Sequence, residues 1–518
     1  MRGVIYNFSG ELDEVSHLFP NERLARLAAS LERAGHEAVV LDRANFADLI
    51  SRGADFMRTL GSVGFFDDDP DLTAAAAAEA EAVLAERPQM VLINLWHGSG
   101  FKFSRELAAE LKRRDPALPL YGVGQKVDWF REHILNLPGN RLDGLVTGLG
   151  YETVPRLAAG EDAGTVPGMI TGGEEGLIIN PAPVTEGGAV PKPSYDGRVY
   201  RSIEEKIPVF SLALSNLACP NRCAFCVRPE NYGRTLSPRP AEAVFDELRS
   251  LHERFGATHF RVEDSTPPPK ALTALAQAIR ESSLKGKVRL SAFSRVDQNA
   301  EEDFEAMKDA GFISLFFGME SLDDAVLANL RKGFTPGEVR DTVERAHAAG
   351  LFTVGSFICP TPGETRESME RTLERIAEMR DVLDSVLSLP AGVYPTTAWG
   401  RDPDAFGIRL RENYIQELLT YPIKYEVPLR HWKPFPFSYA MMGRPAEEVE
   451  FGDIAAVQEE FARRVREDLG IPRVPDYYRL LADRAGRPPE ETAMRIVKGI
   501  MTRDYRALRD FLRIGAPA

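Results

Sequence analysis

Three of the four cysteines lie within eight residues, in Ser215-Asn-Leu-Ala-Cys219-Pro-Asn-Arg-Cys223-Ala-Phe225-Cys226-Val227, at the spacing C-x3-C-x2-C. Thiolates are soft ligands that suit iron–sulfur clusters or zinc. The apolar run 209–214 just before them reads as a buried strand. Pro220 and Asn221 break regular structure, so the thiols belong on a loop at a strand's end. Such a loop can point three sulfurs at one place. The count is informative, because a structural zinc site is closed by four protein ligands. A [4Fe-4S] cube held by four cysteines is closed in the same way. Three cysteines on a cube leave one iron for another ligand. A disulfide is disfavoured in a chain with so few cysteines and no secretion-signal pattern. Zinc would need Cys359 or a distant histidine as its fourth ligand, and paired C-x2-C is the commoner zinc spacing.

The elements that must position this loop are legible from 205 to 390. Strand signals at 258–262, 288–293, 313–317, 352–358 and 386–390 alternate with helix signals at 240–255, 271–282, 302–310, 336–349 and 366–379. Six strand–helix steps predict a partial parallel (β/α)6 barrel, whose site forms at the carboxyl ends of the strands. Polar residues stand at those ends: Glu263 and Asp264, Ser294 and Arg295, Glu320, and Cys359. Cys359 has two readings. It is a buried inert thiol, as free cysteines commonly are, or a thiol facing the barrel mouth that donates a hydrogen atom to substrate.

Residues 1–160 alternate in the same way, with strands expected at 4–8, 38–41, 90–95, 118–122 and 142–147 and helices at 21–35, 72–85, 101–114 and 151–159. This pattern predicts a Rossmann-like open parallel sheet with ligands beyond the strands' carboxyl ends. Those ends are rich in small residues: Trp96-His97-Gly98-Ser99-Gly100, Gly122-Val123-Gly124, and Gly148-Leu149-Gly150. Residues 161–204, with their glycine pairs and prolines, read as a linker. Residues 391–518 are expected to be mainly helical, with helices at 455–469, 477–485 and 489–512. The segment 430–439 concentrates aromatic and basic groups that could cap the barrel or simply pack between domains.

The cysteine spacing, with Phe225 just before the third cysteine, resembles the signature of the radical S-adenosylmethionine (SAM) superfamily. Asp143-Gly-Leu-Val-Thr-Gly148-Leu-Gly150-Tyr-Glu152-Thr153 and the linker Pro191-Lys-Pro-Ser-Tyr-Asp196 are similar to the class B members, which carry an N-terminal cobalamin-binding domain. The likeness covers residues 1–390. It implies that Cys219, Cys223 and Cys226 hold a [4Fe-4S] cluster whose free iron binds SAM. It implies SAM contacts from Phe225, Glu263, Asp264, Ser294, Arg295 and Glu320, and cobalamin contacts from Ser99, Gly122, Gly124, Gly148 and Glu152. The D-x-H-x-x-G motif of many corrinoid proteins is absent, and His97 and His133 lie outside any such motif. A protein imidazole on cobalt is therefore not expected.

The chemistry that the resemblance implies is reductive cleavage of SAM, hydrogen abstraction by the resulting radical, and methyl transfer from cobalamin to a carbon of a small metabolite or natural-product precursor. Rearrangement, cyclisation or sulfur chemistry without methylation is the alternative. RNA modification and a non-enzymatic metal module follow less directly. The net charge of −14 disfavours a nucleic-acid footprint, and no cysteine precedes Cys219. The expected partners are a small-molecule substrate and an external electron donor of flavodoxin or ferredoxin type. No stretch is long and apolar enough to span a membrane, and the expected location is the cytoplasm.

Overall fold

The computed structural model describes residues 1–297, 303–420, 429 and 432–512. Two large sheets organise them. The first contains β1 (Arg2–Asn7), β2 (Glu37–Asp42), β3 (Met90–Asn94), β4 (Leu120–Val123), β5 (Gly144–Val146), β6 (Met169–Gly173) and β7 (Gly176–Ile179), in the order β2-β1-β3-β4-β5-β6-β7. β1 to β5 run parallel. Val4, Ile5 and Tyr6 are fully buried, as a strand covered on both faces requires.

β6 and β7 correct the sequence reading. Part of the stretch read as linker is an antiparallel hairpin on the sheet's edge. The glycines that look like loop punctuation, Gly172, Gly173 and Gly176, belong to its strands and flank the turn.

The second sheet contains β8 (Val209–Leu212), β9 (His259–Val262), β10 (Arg289–Ser294), β11 (Phe312–Glu320), β12 (Phe352–Ile358) and β13 (Ser385–Leu389). Six parallel strands stand side by side in chain order, and β13 does not pair with β8. This is the partial barrel expected from the sequence. The helix Asp476–Ala485 packs against β9, β10, β11 and β12. A short antiparallel pair, β14 (Ile408–Leu410) and β15 (Phe437–Tyr439), interrupts the otherwise helical remainder.

Helix ends follow local chemistry. Asn21 caps the helix Glu22–Arg33 by accepting from the Leu24 amide at 3.2 Å, one of the orphan donors every helix start presents. Thr365 and Ser368 cap the helix Arg366–Glu378 reciprocally. At 46–62, where the sequence reading has no helix, two helical stretches meet at Gly53, whose φ of 77° is non-helical. The expected helix 489–512 divides at Arg503 into Pro489–Thr502 and Tyr505–Phe511. The start of the expected helix 302–310, and Arg430 and His431 of the aromatic segment, lie outside the described residues.

Buried ion pairs join the two sheets. Arg26 and Glu247 are both fully buried and 2.8 Å apart, Arg239 is 2.9 Å from Glu247, and Glu22 also pairs with Arg26. This network bolts the helix Glu22–Arg33 to the helix Ala241–Phe255. Losing one partner would strand a charge in the interior, so the contact is mutually dependent.

Candidate functional site

The cysteine loop leaves β8 and is held on every side by main-chain and side-chain hydrogen bonds. Asp264 accepts from the Leu214 amide at 2.6 Å and from the Ser215 hydroxyl. Asn216 accepts from the Ser237 amide at 3.0 Å and donates to the Thr185 carbonyl at 2.8 Å. The Ala224 amide donates to Leu330 at 3.0 Å, and the Trp399 amide donates to Ala224 at 3.2 Å. Leu217 sits at φ 61°, a conformation that a branched side chain adopts only when its surroundings impose it.

Each sulfur has a polar neighbour. Thr266 Oγ1 is 3.4 Å and Asn221 Nδ2 3.5 Å from Cys219 Sγ. The Arg228 amide is 3.5 Å from Cys226 Sγ, and Arg295 Nη1 is 3.7 Å from Cys223 Sγ. N–H and O–H groups facing sulfur stabilise thiolate and tune what it binds. Without such a load, burial pushes the Cys226 thiol up to about 11, and the neighbouring charges of Cys223 and Cys219 push the same way. Two buried donors beside the loop, Trp399 Nε1 and Arg228 Nη1, have no acceptor among the described residues. Among the described residues, no three His, Cys, Asp or Glu side chains converge on a single-ion site. A polynuclear cluster asks for something else: each thiolate meets a different iron, so the sulfurs must border one space rather than one point. The loop fits that demand.

The other strand-end residues divide. Arg295 reaches Cys223, is anchored 2.7 Å from Asp297, and lies 5.3 Å from the centre of the Phe334 ring. Glu320 sits at φ 66° where the pairing of β11 with β12 slips between Gly318 and Glu320. Such a bulge re-aims a side chain. The aim is Lys332, whose Nζ is 3.2 Å from Glu320 Oε1 and 5.7 Å from the Phe225 ring centre. A Cβ on Gly318 would fall 2.8 Å from the same carboxylate oxygen, so the glycine makes room for the glutamate. Phe225 packs 5.8 Å from Trp399. Cys219, Cys223, Cys226, Phe225, Arg295 and Glu320 thus form one neighbourhood.

Asp264 is instead spent on Leu214 and Ser215, and burial raises its carboxyl above the usual range. Glu263, half-buried, accepts from Ser211 at 3.3 Å. Ser294 is buried at the end of β10. Cys359 directly follows β12. Its thiol is 4% exposed within the core, and its charged neighbours are Glu364, Glu460 and Arg366, not the three cysteines. Burial, with Glu364 next, pushes it well above an ordinary thiol, which disfavours the thiolate.

At the first sheet, the order β2-β1-β3-β4-β5 places the topological switch between β1 and β3, where open sheets of this kind bind ligands. Asn7 accepts there from Asn94 at 2.7 Å and from Trp96 Nε1 at 2.6 Å, and donates to Asp42 at 2.6 Å. Asp42 in turn is paired with the fully buried Lys206 at 2.7 Å. The Trp96 ring is 4.3 Å from His17, which lies 3.3 Å from Asp13. Lys126 Nζ is 3.4 Å from the Trp129 ring centre, and burial lowers it to about 7. Trp129 stands 4.7 Å from Tyr394 of the segment after β13. Ser9 Oγ, buried just after β1, has no partner among the described residues. Polar atoms, aromatic faces and an orphaned hydroxyl at a switch point fit a large cofactor with polar side groups.

Sequence reasoning missed most of this cluster: Asp13, His17, Trp96, Lys126 and Trp129. The available signal was the pair Trp96-His97 directly after a strand. Of the expected residues, Ser99 accepts from the Glu11 amide at 3.0 Å, and Gly124 leaves room for the Asn94 amide. Gly148 donates its N–H to Asp128 at 2.7 Å. Gly122 and Glu152 have different surroundings. A Cβ at Gly122 would meet Leu145 and Leu95 at 2.7 and 2.8 Å, so that glycine serves strand packing. Glu152 is exposed before the helix Thr153–Ala158.

The two sheets' carboxyl ends meet. Tyr477 donates to Glu14, on the loop after β1, at 3.1 Å. Arg261 on β9 lies 3.2 Å from Asp476 and 4.9 Å from the Tyr477 ring centre.

Residues 216–376 match the family model described as the radical SAM superfamily. An uncharacterised methyltransferase from Pyrococcus horikoshii is 30% identical over 263 residues, which cover 49% of this chain and 57% of that protein. The chain therefore spans little more than half the length of this relative. The hopanoid C-3 methylase of Methylococcus capsulatus is 24% identical over 385 residues, 73% of this chain and 67% of the other. Among solved structures, the radical S-adenosylmethionine methyltransferase TsrM from Kitasatospora setae, with cobalamin and a [4Fe-4S] cluster bound, superposes with a TM-score of 0.68 at 17% identity, over 98% of this chain and 99% of that one. At that identity the likeness is one of fold. No helix among the described residues is long and apolar enough to cross a membrane.

Proposed function

This chain carries a radical SAM domain, and from that premise we propose that it is a cobalamin-dependent radical SAM enzyme that methylates an unactivated carbon of a small molecule. The observation that carries the reading is the cysteine loop itself: three thiols on one short loop, a polar neighbour against each sulfur, at the same sheet ends as Arg295 and Glu320.

Cys219, Cys223 and Cys226 would hold a [4Fe-4S] cluster with one iron left for SAM. When bound, the cluster supplies an electron to SAM and the corrinoid carries a methyl group; these are the hard steps, and they belong to the cofactors. The protein's share is position and exclusion of water. Phe225 closes the loop's inner side against Trp399. Arg295 keeps a positive charge beside Cys223. Glu263 and Ser294, at the ends of β9 and β10, would meet SAM's amino and hydroxyl groups, while Asp264 fixes the loop behind them. The bulge at Glu320 turns a carboxylate and its lysine toward the same space. The corrinoid would be held by residues 1–160 with the hairpin 169–179, over the ends of β1 and β3, beside Ser9, Ser99, Gly124 and Trp96. Residues 205–390 form the SAM-binding unit, and residues 391–518 cover it and select the substrate. A small metabolite is the favoured substrate class for an acidic chain, and a reducing cytoplasm suits an oxygen-sensitive cluster.

The test is anaerobic purification and reconstitution. Four irons and four sulfides per chain, a corrinoid absorption spectrum, and methionine release from SAM with dithionite are expected. Zinc in place of iron, or a cluster retained in full by Cys223→Ala, would overturn the reading.

A further inference from the structure

β7 is the outer strand of the first sheet, and only β6 pairs with it. Its four residues, Gly176-Leu177-Ile178-Ile179, are all exposed. Eight large apolar side chains are exposed among the described residues, and four of them stand here: Leu177, Ile178, Ile179 and Val184, at 36, 39, 44 and 55%. Such a concentration marks an interaction surface, as scattered single residues would not. The backbone of this edge is open as well. The Asn180 N–H donates to the Met169 carbonyl at 2.8 Å, so the alternation of an antiparallel pair turns the N–H and C=O of Leu177 and Ile179 away from β6. No backbone partner meets them there among the described residues. Other outer strands are covered: Val40 of β2 is bonded to Val199 at 2.8 Å and to Arg201 at 3.2 Å, and Val386 of β13 to Pro472 at 3.0 Å. Exposed edges are commonly blunted by lysine, proline or a bulge, and residues 176–180 hold none of these.

We infer that β7 pairs antiparallel with β7 of a second copy of this chain, about a twofold axis, and so extends the first sheet through both copies. Leu177 of each copy faces Ile179 of the other and exchanges both backbone bonds with it, and the two Ile178 side chains meet at the axis. Charge selects the partner and the direction. Glu174 and Glu175 form the exposed turn, while residues 176–184 carry no charge. Antiparallel pairing sends the two acidic turns to opposite ends of the seam, whereas parallel pairing would set four carboxylates side by side. A foreign strand selected by charge finds nothing on β7 to read. An uncharged strand whose open donors and acceptors repeat in twofold order is complementary to itself. The seam is short. A four-residue strand buries well under the roughly 1,200–2,000 Å2 of a stable interface, so association belongs at micromolar concentration or above.

The experiment is sedimentation of the full chain across concentration and ionic strength, beside variants of Ile178. The wild type is expected to show a reversible monomer–dimer equilibrium that tightens as salt rises, because two chains of net charge −14 repel until screened. Ile178→Lys sets two ammonium groups against each other at the axis and should be monomeric throughout with an unchanged far-UV spectrum. Ile178→Thr keeps strand propensity and should weaken the dimer about tenfold. Ile178→Cys should cross-link two copies under mild oxidation, since Cα atoms of directly opposed residues at such a position lie about 4.5 Å apart. Val184→Cys, more exposed but off the axis, should cross-link far less, and the wild type controls for the native thiols. A monomeric wild type, a dimer that survives Ile178→Lys, or cross-linking that favours Val184→Cys overturns the pairing. A dimer that weakens with salt overturns it too, since opposite charges would then hold the copies together. If the lysine variant does not fold, the threonine and cysteine variants decide.

Discussion

The Trp399 amide donates to the Ala224 carbonyl at 3.2 Å, so a segment beyond the barrel's last strand grips the cysteine loop between its second and third thiols. The same tryptophan is fully buried and lies 5.8 Å from Phe225. Trp399→Ala should therefore act in two ways. It should cost about 3–5 kcal/mol of stability, as truncation of a large buried ring does. It should also lower iron retained after reconstitution, because the loop loses the ring that backs Phe225. Trp399→Phe should keep most of both. Denaturant midpoints and iron per chain read the two effects separately.

Gly318 tests whether the bulge aims Glu320. Alanine there would crowd a carboxylate oxygen at 2.8 Å and push it off Lys332. SAM affinity, measured calorimetrically on the reconstituted chain, should weaken about tenfold, the worth of one misplaced charge-assisted hydrogen bond. Iron content should stay unchanged. Lys332→Met is harsher. It leaves Glu320 buried without its partner and should cost about 3–5 kcal/mol.

Asp128 should print a pH dependence on stability. Burial raises its carboxyl to about 7, against the pull of Arg23 at 3.5 Å and the Gly148 amide. A carboxyl raised on folding binds more protons folded than unfolded, so its contribution is fully present below the unfolded value near 3.8 and is lost as pH rises through about 7. Unfolding free energy should fall across that window. Asp128→Asn keeps the acceptor for Gly148 and should flatten the slope in chemical denaturation from pH 4 to 8. An unchanged slope would assign the dependence to other groups.

Cys359 and Cys223 should separate cleanly. Cys359→Ala should leave iron content and SAM cleavage at wild-type levels, with about 1 kcal/mol lost from the core. Cys223→Ala should abolish both while the far-UV spectrum stays native. Iron analysis and methionine release decide.

The sequence made the second sheet legible because parallel strands covered on both faces read as apolar runs, and each ends at a polar residue. The cysteine spacing located the site for the same local reason. What stayed hidden depends on distance in the chain. Asp264 looks like a ligand in sequence, yet Leu214 and Ser215, fifty and forty-nine residues away, consume both its oxygens. His17 and Trp96 meet only because β1 and β3 are neighbours, which no local pattern states. Gly122 resembles a ligand-facing glycine until Leu95 and Leu145 close over it.

The bond from Tyr477 to Glu14 spans 463 positions. Contacts so distant along the polymer are the last to form, and on a ribosome the tyrosine emerges when the first sheet is long complete. Until then the loop after β1 lacks this partner, so its final setting belongs to the chain's last helices as much as to the strand that it follows.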